Sequence, residues 1–212
     1  MARLLAADPD TGVLLLKRLE PGLSLDSVDD DVAATSIAAE VMRKLRLPAP
    51  TDGGFPTVAD WGRGFQRLRA AFEGGTGPFP PLVVDAAADV FMSLEATAEP
   101  AVLLHGDLHH GNILSSSGGT WLAIDPKGLA GEPAYEVGAL LRNPSALYTS
   151  TSDPAAVTAR RLSQLSEELG MDRQRLQGWG FSQAVLSAWW TYEDHGRVGD
   201  NALACAQWLR DA

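Results

Sequence analysis

Three oxygen-bearing side chains in this sequence are spaced for one kind of chemistry. Asp107 stands in the run His105-Gly106-Asp107-Leu108-His109-His110-Gly111-Asn112, with an asparagine five positions after the aspartate. Moving a phosphoryl group from a nucleotide to an alcohol needs a carboxylate that accepts the hydroxyl proton. It also needs separate oxygen ligands that hold Mg²⁺ against the phosphates. Asp107 suits the first task and Asn112 the second. Asp125, in Ala123-Ile124-Asp125-Pro126-Lys127-Gly128, offers the further carboxylate that Mg²⁺ prefers. This is the spacing of a phosphotransferase catalytic loop.

The elements that must position these groups are legible around them. Ile113-Leu114, then Ser115 to Gly119, then Thr120 to Ile124 reads as strand, five-residue turn and strand. Closing that hairpin makes neighbours of Asn112 and Asp125, thirteen positions apart in the chain. The apolar run Ala101-Val102-Leu103-Leu104 after Pro100 predicts a strand that delivers Asp107 to the same edge.

Most of the rest reads as helix. Residues 26–46 carry Val28, Val32, Ile37, Val41 and Leu45 near helical spacing, with Asp29-Asp30-Asp31 read as the helix N-terminus rather than a metal site. Residues 57–73 carry Val58, Trp61, Phe65, Leu68 and Phe72, a core-facing stripe rather than an aromatic cofactor box. Further helices are expected over 80–98 and 133–142, after Ser152 or Asp153 up to a stop at Gly170, after Asp172, and from Asp200. Gly74-Gly75-Thr76-Gly77 leads into Pro78-Phe79-Pro80-Pro81 and reads as a connector.

The stretch from Leu103 to Pro144, with HGDLHHGNIL, AIDPKG and GEPAYEVGALLRNP, resembles the streptomycin and hydroxyurea kinases of bacteria, a branch of the aminoglycoside phosphotransferases. The likeness extends upstream to Leu14-Leu15-Leu16-Lys17-Arg18-Leu19-Glu20-Pro21-Gly22 and downstream to Ser187-Ala188-Trp189-Trp190 with Glu193-Asp194. It implies an α+β protein-kinase-like fold: a mostly helical large lobe with a catalytic β-hairpin. Residues 1–22 would be a remnant of the small lobe with the hinge, and residues 23–212 the large lobe, with the catalytic loop at 105–112 and the metal segment at 124–128.

The resemblance also assigns roles. Asp107 would be the catalytic base, His105 its structural partner, and Asn112 and Asp125 the Mg²⁺ ligands. Backbone at Arg18, Leu19 and Glu20 would face the adenine of ATP, and Lys127 would either touch phosphate or lie exposed. Glu132, Tyr135, Glu136, Trp190, Glu193 and Asp194 are the candidates to meet a cationic acceptor such as streptomycin.

Composition narrows the partners. With 45% hydrophobic and 21% charged residues, the 212-residue chain can bury a substantial core. A formal net charge of −10 disfavours nucleic acid and would steer a cationic small molecule inward, while also serving solubility. Cys205 is the one cysteine, which excludes an internal disulfide and fits a reducing, cytoplasmic setting. No secretory signal or membrane-spanning stretch is expected. Oligomeric state is not legible.

Two other readings of the motif stand beside the kinase. Because only a strand, a turn and a second strand precede the hinge, the chain could be an inactive kinase-like remnant that acts as a binding module. Alternatively His105, Asp107, His109 and His110 could ligate the metal of a hydrolase, although neighbours on an extended segment point to opposite faces.

Overall fold

The computed structural model describes residues 1–50 and 54–212 of the chain. It opens with an antiparallel hairpin of β1 (Leu4–Asp8) and β2 (Val13–Leu16), in which Asp8 pairs with Val13 and Ala7 with Leu14. Both strands are solvent-exposed along their length. The chain then runs along the edge of the later catalytic hairpin: Gly22 N–H donates to Ser115 O (3.1 Å) and Ser115 N–H to Leu23 O (2.8 Å).

Helix α1 (Asp31–Leu45) starts five residues later than its apolar pattern suggests, because Asp30 caps it by accepting from the Val32 and Ala33 amides. The acidic triplet is therefore a helix start, as expected. Its buried face is Ala34, Ala38, Ala39, Val41 and Met42, whereas Val32 of the expected stripe is exposed. Small alanines let α1 lie close against α6 (Pro154–Leu169).

A two-residue strand β3 (Leu47–Pro48) precedes α2 (Val58–Ala71) and α3 (Pro81–Ala96). Thr57 and Asp60 close a reciprocal capping box at the start of α2. From it the stripe Val58, Phe65 and Leu68 goes into the core, with Trp61 and Phe72 packed at its margin. The glycine cluster is the connector between these helices, held by Thr76 Oγ1 donating to Phe79 O (2.8 Å).

Strand β4 (Val102–Leu104) lies between β3 and β7 (Leu129–Gly131) in a three-stranded antiparallel sheet. The catalytic hairpin pairs β5 (Ile113–Ser116) with β6 (Thr120–Ala123). The first strand runs two residues further than the sequence reading has it, and the second stops one residue short, at Ala123. Ser116 still pairs with Thr120, and positive φ at Gly118 (76°) and Gly119 (75°) turns the chain in three residues.

The expected helix over 133–142 divides into a 3₁₀ turn (Pro133–Glu136) and α4 (Val137–Leu141), followed by α5 (Ser145–Ser150). Helix α7 (Arg173–His195) runs through the core and α8 (Asp200–Asp211) packs on it. Gly170 and Gly196, at φ 66° and 67°, end α6 and α7, and Asp172 caps α7. A helix buried on nearly all sides needs small residues where neighbours approach. A Cβ at Gly180 would sit 3.0 Å from Leu141.

One polar cluster ties these helices together. Arg161 of α6, fully buried, places Nε 3.0 Å from Asp31 Oδ2 and donates through Nη1 to Asn143 O (2.6 Å) and Leu140 O (3.2 Å). Burial alone would raise the Asp31 carboxyl, but the bonded Arg161 and the neighbouring Arg160 hold it below the ordinary range. Removing one partner strands the other's charge in the interior. Asp31→Ala is expected to cost about 3–5 kcal/mol in urea denaturation. A loss below about 1 kcal/mol would show that the cluster is not a structural tie.

Candidate active site

The catalytic loop leaves β4 at Leu104 and is held from below by one carboxylate. Glu136 Oε2 accepts from His105 N–H (2.6 Å) and Oε1 from Gly106 N–H (3.0 Å). Gly106 adopts φ 83°, and a Cβ there would lie 3.3 Å from the Trp61 ring. The turn thus requires glycine for its backbone angle and its close neighbour.

His105 joins the loop to the metal segment. Its Nδ1 accepts from Asp107 N–H (3.3 Å), so Nε2 carries the proton donated to Ile124 O (2.7 Å). Burial lowers its pKa against the pull of Asp107 and Asp125, which keeps the ring in this neutral form. The His105 carbonyl accepts from Lys127 N–H at 2.8 Å.

Asn112 is fixed at both ends. Its Nδ2 donates to Asp107 O (2.9 Å), and its carbonyl accepts from Ile124 N–H (2.9 Å), the first rung of the hairpin. With the nitrogen committed, Oδ1 is the atom left for a cation. Asp125 follows that rung with φ 55°, a left-handed conformation uncommon outside glycine. Its side chain stays 68% exposed, with Lys127 Nζ at 3.4 Å from Oδ2. Asn112 is thus bonded to Asp107 directly, and Asp125 follows Ile124, whose backbone both Asn112 and His105 hold.

The histidines do not gather around a common point, which overturns the metal-hydrolase alternative. His105 spans Asp107 and Ile124, while His109 Nδ1 accepts from Gly111 N–H (3.1 Å). His110 is buried against Arg161, 3.4 Å from Nη2. Burial, reinforced by Arg161, drives His110 down to about 4, so it is neutral. Among the described residues no group of three or more His, Cys, Asp or Glu is placed to hold a metal ion.

Three of the expected acceptor contacts are corrected. Glu132 is 3% exposed, and its carboxylate receives Arg175 Nε and Nη2, both at 2.6 Å, and Trp179 Nε1 at 3.0 Å. Tyr135 is completely buried, edge-on to Trp179. Glu136 is the brace beneath the loop. The two carboxylates are spent on partners inside the protein, and the Tyr135 hydroxyl, equally buried, has no hydrogen-bond partner among the described residues.

Trp190 is half-buried and meets Trp61 edge-to-face at 5.2 Å between ring centroids. Glu193 forms a two-pronged pair with Arg67, at 2.8 and 3.0 Å, and Asp194 is exposed. That pair explains how α7 tolerates acid near its C-terminus, where the dipole opposes it. A recess of about 210 Å³ opens among Asp60, Trp61, Arg67 and Trp190. Asp60, Trp61 and Arg67 carried no signal in the sequence that separates them from an ordinary amphipathic helix. Of the hinge residues, Arg18 and Glu20 are largely exposed and paired with each other at 3.6 Å, and Leu19 is half-buried.

The sequence profile of a family described as aminoglycoside/hydroxyurea antibiotic resistance kinase matches residues 1–195. The chain is 34% identical to a streptomycin 6-kinase of Streptomyces glaucescens, with 99% of this chain aligned to 68% of that protein. It is 33% identical to a hydroxyurea phosphotransferase of Kitasatospora aureofaciens, over 91% of this chain and 54% of the relative. The chain thus spans between about half and two thirds of these relatives. Its fold matches aminoglycoside phosphotransferase APH(4)-Ia, solved as a ternary complex with ADP and hygromycin B, with a TM-score of 0.63. That match has 17% identity and covers 100% of this chain and 75% of the other. The α+β architecture is accordingly protein-kinase-like.

Burial pushes the Glu136 carboxyl up to about 7, opposed by the His105 and Gly106 amides. A carboxyl raised above its unfolded value stabilises the fold at low pH and loses that contribution as pH climbs through the folded pKa. Relative to Glu136→Gln, the wild-type protein should lose stability between about pH 4.5 and 7 at a limiting slope of ~1.4 kcal/mol per pH unit. Denaturant melts across that range check it, and a pH-independent difference would count against a buried titrating brace.

Proposed function

The chain belongs to the aminoglycoside/hydroxyurea antibiotic resistance kinase family, and on that footing we propose that it transfers the terminal phosphoryl group of ATP to a hydroxyl of a streptomycin-like aminoglycoside or of hydroxyurea, conferring resistance in the cytoplasm. The carrying observation is the braced unit of Asp107, Asn112 and Asp125 at the mouth of the catalytic hairpin.

In this reading Asp107 accepts the proton of the attacking hydroxyl. Its carboxylate is partly exposed, while its backbone N–H is fixed by His105. Asn112 Oδ1 and the Asp125 carboxylate would hold Mg²⁺, and the donor set of an amide oxygen and a carboxylate suits a hard cation. When bound, Mg²⁺ neutralises charge on the phosphates. Lys127, beside Asp125, would meet the same phosphates. Residues 1–22 act as small-lobe strands and hinge, with backbone at Arg18 to Glu20 against the adenine, and residues 23–212 act as the large lobe.

The acceptor is read into the recess at Trp61 and Trp190. Indole faces attract guanidinium groups, and Asp60 at the rim adds a negative charge. Glu193 acts through Arg67, which it holds in the wall, and Asp194 adds to the acidic approach. A net charge of −10 favours arrival of a cation. Among the described residues no helix is long and apolar enough to cross a membrane.

Purified protein supplied with ATP, Mg²⁺ and streptomycin, and separately hydroxyurea, should form a phosphorylated acceptor detectable by mass spectrometry. Asp107→Asn should lower kcat by about 10²–10⁴-fold with nucleotide affinity retained. Undiminished turnover would remove Asp107 from its role. Trp190→Ala should raise the KM for streptomycin by about 2–30-fold with little change in kcat; an unaltered KM would place the acceptor elsewhere.

A further inference from the structure

A second cavity, of about 400 Å³, lies between the end of α4, the C-terminal half of α7 and the start of α8. Its lining differs from that of the tryptophan recess, where Asp60 and Arg67 stand beside two indoles. Arg142 and Arg197 line it together with the hydroxyl residues Ser145 and Ser187, and Asn201. In a chain of net charge −10, a pocket walled by two guanidinium groups calls for a physical reason.

Arg142 supplies it. The guanidinium is partly buried, and its side-chain hydrogen bond goes to Gln183, a neutral amide. Burial lowers its pKa, opposed by Cys205, Tyr135 and Asp107. Cys205 and Tyr135 supply no charge at neutral pH, because burial pushes the Cys205 thiol up to about 12 and raises Tyr135 as well. Among the described residues Arg142 has no bonded counter-charge; taking a cation out of water in that state is costly, and an anion in the cavity relieves that cost.

The remaining walls suit an anion with several acceptor oxygens. Ser145 and Ser187 make no side-chain hydrogen bond among the described residues, so both hydroxyls can donate into the space. The first turn of α8 borders it, and the N-cap Gly199 offers no side-chain acceptor to the helix amides. A forked guanidinium, two hydroxyls and a helix start offer donors from several directions, which the several acceptor oxygens of a phosphate can use.

We propose that the cavity between α4, α7 and α8 is an oxyanion site for phosphate or a phosphate monoester, with Arg142 as its anchor and Ser187 and Arg197 as further donors. It does not depend on the identity of the acceptor that is phosphorylated, because its ligand binds the protein whether or not turnover occurs.

The test is thermal unfolding of the full chain in sodium phosphate against sodium chloride at equal ionic strength. Phosphate at about tenfold above its Kd should raise Tm by roughly 3–5 °C in a saturable manner. Arg142→Gln should abolish the shift. Arg197→Gln at the exposed mouth and Ser187→Ala should each weaken it, and these two carry the test if the Arg142 variant fails to fold. Lys127→Gln, next to the proposed nucleotide phosphates, should keep the full response. Glucose 6-phosphate as a second probe separates the sources: tighter binding than inorganic phosphate assigns the site to a phosphorylated metabolite, and binding of inorganic phosphate alone assigns it to the free ion. Equal Tm in phosphate and chloride, an unchanged response in the folded Arg197 and Ser187 variants, or loss of the response in Lys127→Gln would overturn the proposal.

Discussion

The catalytic loop depends on a carboxylate that never reaches solvent. Glu136 accepts the amides of His105 and Gly106, two donors that the turn leaves without backbone partners. Unmet donors at that depth would cost about 1–3 kcal/mol each. Glu136 lies in the 3₁₀ turn that leads into α4, so the position of the loop follows the position of that helix. From there constraint passes outward: His105 fixes Asp107 and Ile124, and Asn112 ties Asp107 to the hairpin's first rung.

A second clamp holds the loop from the opposite end. Arg161 reaches from α6 to Asp31 of α1, to the carbonyls at the end of α4, and to within 3.4 Å of His110. Helices distant in sequence thus meet at one buried guanidinium. The strictly neutral His110 beside it is consistent with that arrangement, because a second buried cation there would repel Arg161. The two clamps together leave Asp107 and Asp125 as the polar groups of the unit turned toward solvent, which suits groups that must meet a substrate and a cation.

The two cavities differ in their linings. The recess of Trp61 and Trp190 offers aromatic faces with Asp60 and Arg67 beside them. Arg142, Arg197 and their hydroxyl neighbours form a cationic cavity. Helix α7 contributes to both, through Trp190 to the first and Ser187 and Thr191 to the second.

What the sequence determined by itself was local. The Asp107–Asn112 interval, the hairpin, the helix starts at the acidic triplet 29–31 and at Asp172, and the stop at Gly170 all act over a few residues, where spacing and backbone preference suffice. The tertiary structure decided the use of each polar side chain. Glu132 and Glu136 stand in a motif that reads as substrate-facing, yet one pairs with Arg175 and the other braces the loop. Trp61 sits in an unremarkable core stripe, yet packs against Gly106 and borders the recess. Arg142 stood inside the motif GEPAYEVGALLRNP with no role of its own, and Arg161 gave no signal at all. A polar group's partner is set by which distant segment is brought within about 3 Å of it, and short-range periodicity holds no record of that distance.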